Sequence, residues 1–471
     1  MLTNLDFLNP NQPWPPEDDE TLARLSVYEA NRELFEGRQA SVYNSLFSKM
    51  ERIIPHFKDI IDYPVVLNFQ KLLSLKAADL LFGDAPVITA GRENGKAAKA
   101  VEEIMKNGGG ESGLVNIAYM AAVDMSRYGD GLFYIYKKDG RPCIDVTQPS
   151  IWFPVVNPEN LKEITHHVLG WVASGNPQDK RDKRRYRLKV HIHGKGSVET
   201  REYEVRPNSM SGAYRIGEMI GKPRIAKTGL SDFAIVQVSN LRTSDRSTGI
   251  DDYRDVNSIV YELMVRFSQI SKILDKHASP SMQGPGSALE KDPATGEYRL
   301  VTGNYFKRDS GDDPTVEYLT WDGQLSAAFD EIKALMNQLY ILSEMSPALL
   351  GDESNGHGGA ISGTALRLRM ISPLAKVNRI KMSFTPALKK VVRLASELMR
   401  IRGLDDADIS IKWQSGLPND PREEADIMNI RTGGRPTMSV QRALKVYDGM
   451  TDQSAEKELA DIAGDAGIAD P

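Results

Sequence analysis

Residues 350–402 read LGDESNGHGGAISGTALRLRMISPLAKVNRIKMSFTPALKKVVRLASELMRIR. The opening stretch, Leu350-Gly351-Asp352-Glu353-Ser354-Asn355-Gly356-His357-Gly358-Gly359-Ala360, is too glycine-rich for regular structure. It holds two carboxylates, no Lys or Arg, and one histidine whose ordinary pKa leaves it mostly neutral at pH 7. Its glycines allow the backbone to change shape. From 362 the pattern turns helical and runs to 402, with Pro373 and Pro386 inside it. Each is predicted to remove a helical hydrogen bond and bend the helix. Arg367, Arg369, Lys376, Arg379, Lys381, Lys389, Lys390, Arg393, Arg400 and Arg402 face a single acid, Glu397, for a net of +9. Residues 404–471 carry 7 bases and 14 acids, a net of −7. Opposite charge on adjacent segments points to complementary subunits or to a basic face turned toward a polyanion; a solvated basic face beside an acidic tail is the competing reading.

Upstream of the glycine-rich loop, Leu325, Phe329, Ile332, Leu335, Met336, Leu339 and Leu342 recur at helical spacing. Before them, residues 277–321 have no helical period and are rich in Gly, Pro and Asp. Earlier still, Tyr253, Val256, Ile259, Val260, Leu263, Met264, Phe267, Ile270, Ile273 and Leu274 mark a helix longer than the globular norm. Two long helices thus flank a small module.

The first half has a different texture. Strands are predicted at 132–136, 152–156, 186–193 and 234–238, where aromatic and β-branched residues lie between turn residues. Ahead of them, helices are predicted after Glu17-Asp18-Asp19-Glu20, over 65–82 with Gly83 as a left-handed stop, and over 112–127 ended by Gly129. Beyond the long basic helix, Ile409-Ser410-Ile411-Lys412-Trp413 reads as a strand and the tail from Asp420 as helical. The fold class is α+β, mainly helical.

Composition bounds the function. The 471 residues suggest about three domains. With 59 bases against 64 acids the net charge is −5, which excludes a generally basic nucleic-acid coat. Cys143, the one cysteine, cannot form an intrachain disulfide. No apolar run approaches the roughly 18–20 residues that span a bilayer. The acidic, Pro-rich N-terminus lacks the character of a signal peptide. The expectation is a protein neither secreted nor inserted in a membrane.

The chemistry-bearing patterns are weak. Gly91-Arg92-Glu93-Asn94-Gly95-Lys96 is one residue short of a phosphate loop and is followed by Ala97, which lacks the hydroxyl that would hold magnesium. Residues 217–222 fail in the same way. His191 and His193 point to one face of a strand but have no evident third ligand, so a solvated strand face is expected in place of a metal site. His166 and His167 point to opposite faces. Residues 180–189 hold seven bases and one acid between strands, where a solvated loop is the default. No catalytic constellation emerges; the chain is expected to be no enzyme, with no cofactor and no metal.

The order of the pieces is more informative than any motif. Asn68-Phe69-Gln70-Lys71 through Leu81-Phe82-Gly83-Asp84-Ala85-Pro86, Ser362-Gly363-Thr364-Ala365-Leu366-Arg367-Leu368, and Trp413-Gln414-Ser415-Gly416-Leu417-Pro418-Asn419-Asp420 resemble, in that order, an early helix with its strand, the start of a long central helix and its exit in the portal proteins of tailed double-stranded DNA bacteriophages, siphovirus type. The resemblance covers roughly residues 68–420.

It implies a portal fold assembling as a ring, typically a dodecamer, at one capsid vertex, with a channel for genome packaging, head–tail joining and DNA ejection. By position, 1–249 would be wing, 250–276 and 322–346 stem helices, 277–321 the clip, 347–361 the tunnel loop, 362–419 the spine helix with its return strand, and 420–471 the crown. Asp352, Glu353, Ser354, Asn355, Gly356, His357, Gly358 and Gly359 would face DNA. Arg367, Arg369, Lys376, Arg379 and Lys381 would form the spine's basic face, and Lys307, Arg308, Asp312 and Asp313 a clip surface for partners. The implied partners are further copies of the chain, double-stranded DNA bound without sequence preference, the terminase large subunit, a head–tail adaptor, and the major capsid and scaffold proteins, with no membrane. The implied location is the virion, after assembly in the host cytoplasm. The alternative is a DNA-binding enzyme or accessory factor of nucleic-acid metabolism using the basic helix 362–402.

Overall fold

Asp18 opens helix α1 (Asp19–Phe35): its carboxylate accepts from the Thr21 backbone N–H at 3.2 Å, and Asp19 and Glu20 sit at the positive end of the helix dipole. The structure is a computed structural model describing residues 1–47, 65–91, 95–108, 113–174, 186–207, 213–278, 282–285, 290–291, 298–299, 305–308, 317–318, 325–350, 368–401, 404–414, 421–433, 436–447, 450 and 452–468. The chain divides into two units, Met1–Gly359 with Arg369–Gln414, and Ala360–Leu368 with Ser415–Pro471.

Four more helices follow in the first unit: α2 (Gln39–Phe47), α3 (Phe69–Phe82), α4 (Lys96–Asn107) and α5 (Gly113–Tyr128). Asn68 caps α3 by accepting from the Lys71 N–H at 3.1 Å. Gly83 ends that helix but stays right-handed, at φ −56°, contrary to the left-handed stop expected from the sequence. The break is set instead by Pro86, which disfavours helical backbone at Ala85. Gly129 after α5 does take φ +88°.

The strands are β1 (Pro13–Trp14), β2 (Val87–Ala90), β3 (Asp130–Lys138), β4 (Arg141–Val146), β5 (Trp152–Asn157), β6 (Asn160–Ser174), β7 (Tyr186–Gly194), β8 (Ser197–Pro207), β9 (Tyr214–Met219), β10 (Arg224–Lys227) and β11 (Ile235–Ser239). An antiparallel sheet runs β1-β9-β8-β7-β6-β5, with β10 also on β8, and a smaller one runs β11-β3-β4. Alternation explains the larger sheet. Leu188, Val190 and Ile192 of β7 turn to a core shared with Phe153, Val155, Val168, Val205 and Ile216, while Lys189 between them is exposed. Trp14 joins this core over Gly170, where an added Cβ would lie 2.3 Å from its Cη2, so only glycine admits the ring. Each expected strand in this half is present, whereas β6, with Lys162 and Glu163 in its first turn of pleat, and the charge-rich β8 escape the hydrophobic pattern.

Three long helices complete the unit: α6 (Asn257–Ala278), α7 (Leu325–Ser343) and α8 (Ile371–Leu398). Between α6 and α7, β12 (Met282–Pro285) pairs parallel with β15 (Tyr305–Arg308) and antiparallel with β16 (Glu317–Tyr318); β13 (Glu290–Lys291) pairs with β14 (Tyr298–Arg299). Pro373 lies in the first turn of α8, where its missing N–H removes no helical bond, so of the two prolines expected to interrupt this helix only Pro386 is interior. β17 (Ile409–Lys412) returns to pair with β2. Leu34, Leu73, Val260, Leu263, Met264, Ile332 and Leu339 form the core that holds α6 and α7 on α1 and α3, each burial worth roughly 1.5–3 kcal/mol. The second unit contains α9 (Pro421–Thr432), α10 (Val440–Tyr447) and α11 (Asp452–Ile468), each packed on the next.

Candidate functional site

α8, the end of α7 and the lead-in to α6 meet around one buried ion pair. Lys376 of α8, 4% exposed, places its Nζ 2.9 Å from Asp252 Oδ1 and donates to the Ser343 carbonyl at the end of α7. Asp252 also accepts from Asn240 Nδ2 at 2.9 Å and from Ser126 Oγ of α5 at 2.6 Å. Ser126 Oγ accepts in turn from Ser74 of α3, whose hydroxyl lies 2.8 Å from Tyr253 Oη. Burial raises the Asp252 carboxyl, but the Lys376 ammonium and the Ser126 and Asn240 donors outweigh it and hold the group below its ordinary value. One charged node thus ties α3, α5, α7, α8 and the lead-in to α6.

Glu344 stops α7 in the left-handed region, at φ +58°, with the Met345 N–H returning to Tyr340 O. Its carboxylate accepts both Arg379 nitrogens, a planar two-point pairing that holds this unusual backbone. Lys381 donates to Gln414 O at 3.1 Å and lies 5.6 Å from the Trp413 ring, and burial lowers its pKa. Further along α8, Lys390 pairs with Asp232 at 2.7 Å, and Arg393 with Asp406 and Glu397. Of the bases singled out in the sequence, Lys376, Arg379 and Lys381 are brought to this junction, and Arg369 is exposed at the helix start. Arg367 lies outside the described residues. The acids that meet these bases, Asp232, Asp252 and Glu344, are remote in sequence, so no local spacing marks them.

Asp352–Gly359, expected from the sequence to form a tunnel loop, and Asp312 and Asp313 also lie outside the described residues. Lys307 and Arg308 end β15, in register with Gly284 and Pro285. Gly95 precedes α4 and Gly221 turns at φ +76°, so both loops read as near-phosphate motifs contain ordinary helix-start or turn positions.

Several large apolar side chains of the long helices are exposed: Phe329, Ile341 and Leu342 of α7 and Leu274 of α6. Arg266 of α6 bridges Glu262 and, on α7, Glu331 at 2.9 Å, fixing the two helices side by side.

The sequence expectation of a solvated histidine face is corrected. His193 is fully buried and stands opposite His167 across β6 and β7. Trp152 Nε1 donates to His167 Nδ1 at 3.1 Å, and His193 meets the Tyr134 ring edge-on. Aromatic neighbours from β3 and β5 cover positions that alternation alone assigns to water. Among the described residues no three His, Cys, Asp or Glu side chains cluster to hold a metal. Burial, with a neighbouring imidazole, pushes His167 down to about 3 and His193 down to about 4. Their folded values lie below the ordinary 6.5, so their contribution is complete above pH 6.5 and is lost as pH falls toward 4. His193→Gln, which cannot take the proton, is expected to flatten the stability profile over that window by about 3 kcal/mol in denaturant titrations at stepped pH. An unchanged slope would contradict the burial account.

The sequence matches the family model described as phage portal protein, SPP1 Gp6-like, over residues 17–467. The chain belongs to that family. No curated protein matches it. Similar solved chains include one from "Neck of empty GTA particle computed with C6 symmetry", at 12% identity and TM-score 0.44, covering 93% of this chain and 96% of that one. Another, from "Virion of native gene transfer agent (GTA) particle", is 14% identical with TM-score 0.41 and covers 94% and 96%. Among the described residues no helix is long and apolar enough to cross a membrane.

Proposed function

We propose that this portal-family chain is the repeating subunit of a ring, a dodecamer, that replaces one capsid vertex and conducts double-stranded DNA during packaging and ejection. The observation that carries this reading is family membership across residues 17–467. In it, 1–249 form the wing, 250–276 and 322–346 the stem, 277–321 the clip, 347–361 the tunnel loop, 362–419 the spine and its return strand, and 420–471 the crown. The clip, through Lys307, Arg308, Asp312 and Asp313, meets the terminase large subunit and later the head–tail adaptor; the wing meets capsid and scaffold proteins. The particle is assembled in the host cytoplasm and the ring remains in the virion.

Two physical features support the reading. Ile341 is 64% exposed and Leu342 and Phe329 about half exposed on α7, large apolar side chains that neighbouring copies would cover in a head-to-tail ring. The bases of α8 are largely engaged: Lys376, Arg379, Lys390 and Arg393 already hold carboxylates. A channel that passes DNA gains from few phosphate contacts, since each adds affinity. The same engagement disfavours a DNA-binding enzyme built on this helix.

The combined variant Phe329→Glu and Ile341→Asp tests the interface. The expected result is wild-type chain sedimenting as a large closed particle and the variant as a folded monomer with unchanged circular dichroism. A variant that assembles as the wild type does would exclude these side chains from the interface.

A further inference from the structure

Beside α1, a cavity of about 420 Å³ is lined by Arg24, Tyr28, Arg246 and Asp251, with Glu20 and Arg254 also on its wall. Three polar atoms on this lining are buried without a well-formed hydrogen bond among the described residues, Arg24 Nη1, Tyr28 Oη and Arg246 Nε, although Arg24 lies near enough to the Tyr28 hydroxyl to act on its pKa. Tyr28 is only 3% exposed. Arg24 is fixed in place, donating through Nη2 to the Trp152 carbonyl at 2.9 Å with its guanidinium over the Tyr28 ring at 5.3 Å. Its Nη1 is therefore held in position without a well-formed acceptor.

We propose that this cavity binds an oxyanion, a carboxylate or phosphoryl group, on Arg24, Arg246 and Tyr28. A buried donor left unpaired is costly, and more so on a guanidinium, which keeps its charge at any accessible pH. Two of the three groups donate only. Water filling the cavity could accept from them but would have to place its own protons, whereas an oxyanion offers only acceptors. The nearby carboxylates do not serve. Glu20 lies 3.6 Å from the N-terminal ammonium, and Asp251 Oδ1 accepts the backbone N–H groups of Tyr253 and Arg254. Arg254, exposed at the wall, adds a third cation against those two acids. Burial keeps the Tyr28 hydroxyl protonated and able to donate. The cavity's size is within the range of small-molecule sites. None of this rests on the portal reading.

The oxyanion has two possible sources, a free solute or a carboxylate of a second copy. Isothermal titration of the purified full chain with inorganic phosphate and with citrate, at constant ionic strength in chloride, separates them when run on wild type and on the Phe329→Glu/Ile341→Asp chain. A free solute as source gives saturable binding to both. A second copy's carboxylate gives binding to the unassembled chain and none to the assembled wild type, where the site is filled. In either case Arg246→Gln, and separately Arg24→Gln, made in the unassembled chain and checked for native circular dichroism, weaken binding about tenfold or more. Absence of saturable binding to every chain, or binding that both substitutions leave unchanged, overturns the proposal. If the wild type proves monomeric, the titration still reads the site directly.

Discussion

Lys376→Ala is expected to destabilise the folded chain by roughly 3–5 kcal/mol, because it removes one partner of a buried ion pair and leaves the other without compensation. Asp252 would keep its Ser126 and Asn240 donors but lose the ammonium that holds it ionised, and the Ser343 carbonyl would lose its donor as well. Removing both charges should cost less than the two single changes together. Lys376→Met combined with Asp252→Asn keeps the volume and leaves no charge to bury, so denaturant unfolding of wild type, Lys376→Met, Asp252→Asn and the double variant should show strong coupling. A Lys376→Ala chain within 1 kcal/mol of wild type would mean that the node does not hold the helices.

The second large effect falls on a backbone crossing. Gly249, just before α6, passes Gly129, just after α5, so closely that a Cβ on Gly249 would stand 2.0 Å from the Gly129 oxygen. Backbone cannot yield there without cost: Gly129 O accepts from Asn240 N at 2.9 Å, and the Gly249 N–H donates to Asp130 Oδ2 at 2.9 Å. Asp130 is fully buried, and burial raises its carboxyl despite the Gln237, Ser239 and Gly249 donors, so losing one of them adds to the strain. Gly249→Ala is therefore expected to cost roughly 3 kcal/mol or more, at the upper end of overpacking. Thermal unfolding checks it. A Tm unchanged within a degree or two would show that the two strands of backbone can separate freely.

Periodicity made the long helices legible: Leu263, Met264, Ile332 and Leu339 are inside where their spacing puts them. The apolar and aromatic runs of β3 and β5 and the alternation of β7 were equally readable. β6 and β8 were not, since charged residues on their exposed faces dilute the alternation. Gly129 behaved as helix-stop chemistry predicts, while Gly83 did not, because Pro86 already enforces the turn. The basic helix shows the main limit of sequence reasoning. Ten bases against one acid look like a charged surface until the fold brings Asp232, Asp252 and Glu344 to three of them from distant segments. The buried histidines failed for the same reason: Trp152 and Tyr134, which cover them, belong to other strands. The oxyanion cavity left no sequence trace, as Arg24 and Arg246 meet only in the fold. The family itself was legible in the order of elements, which survives where individual motifs are weak.

The most direct measurement is negative-stain or cryogenic electron microscopy of the purified full chain, alone and co-expressed with its capsid and scaffold proteins. The account predicts closed rings of identical subunits around a central channel wide enough for a DNA duplex. A chain that remains monomeric in both preparations, or closes without a channel, would contradict it.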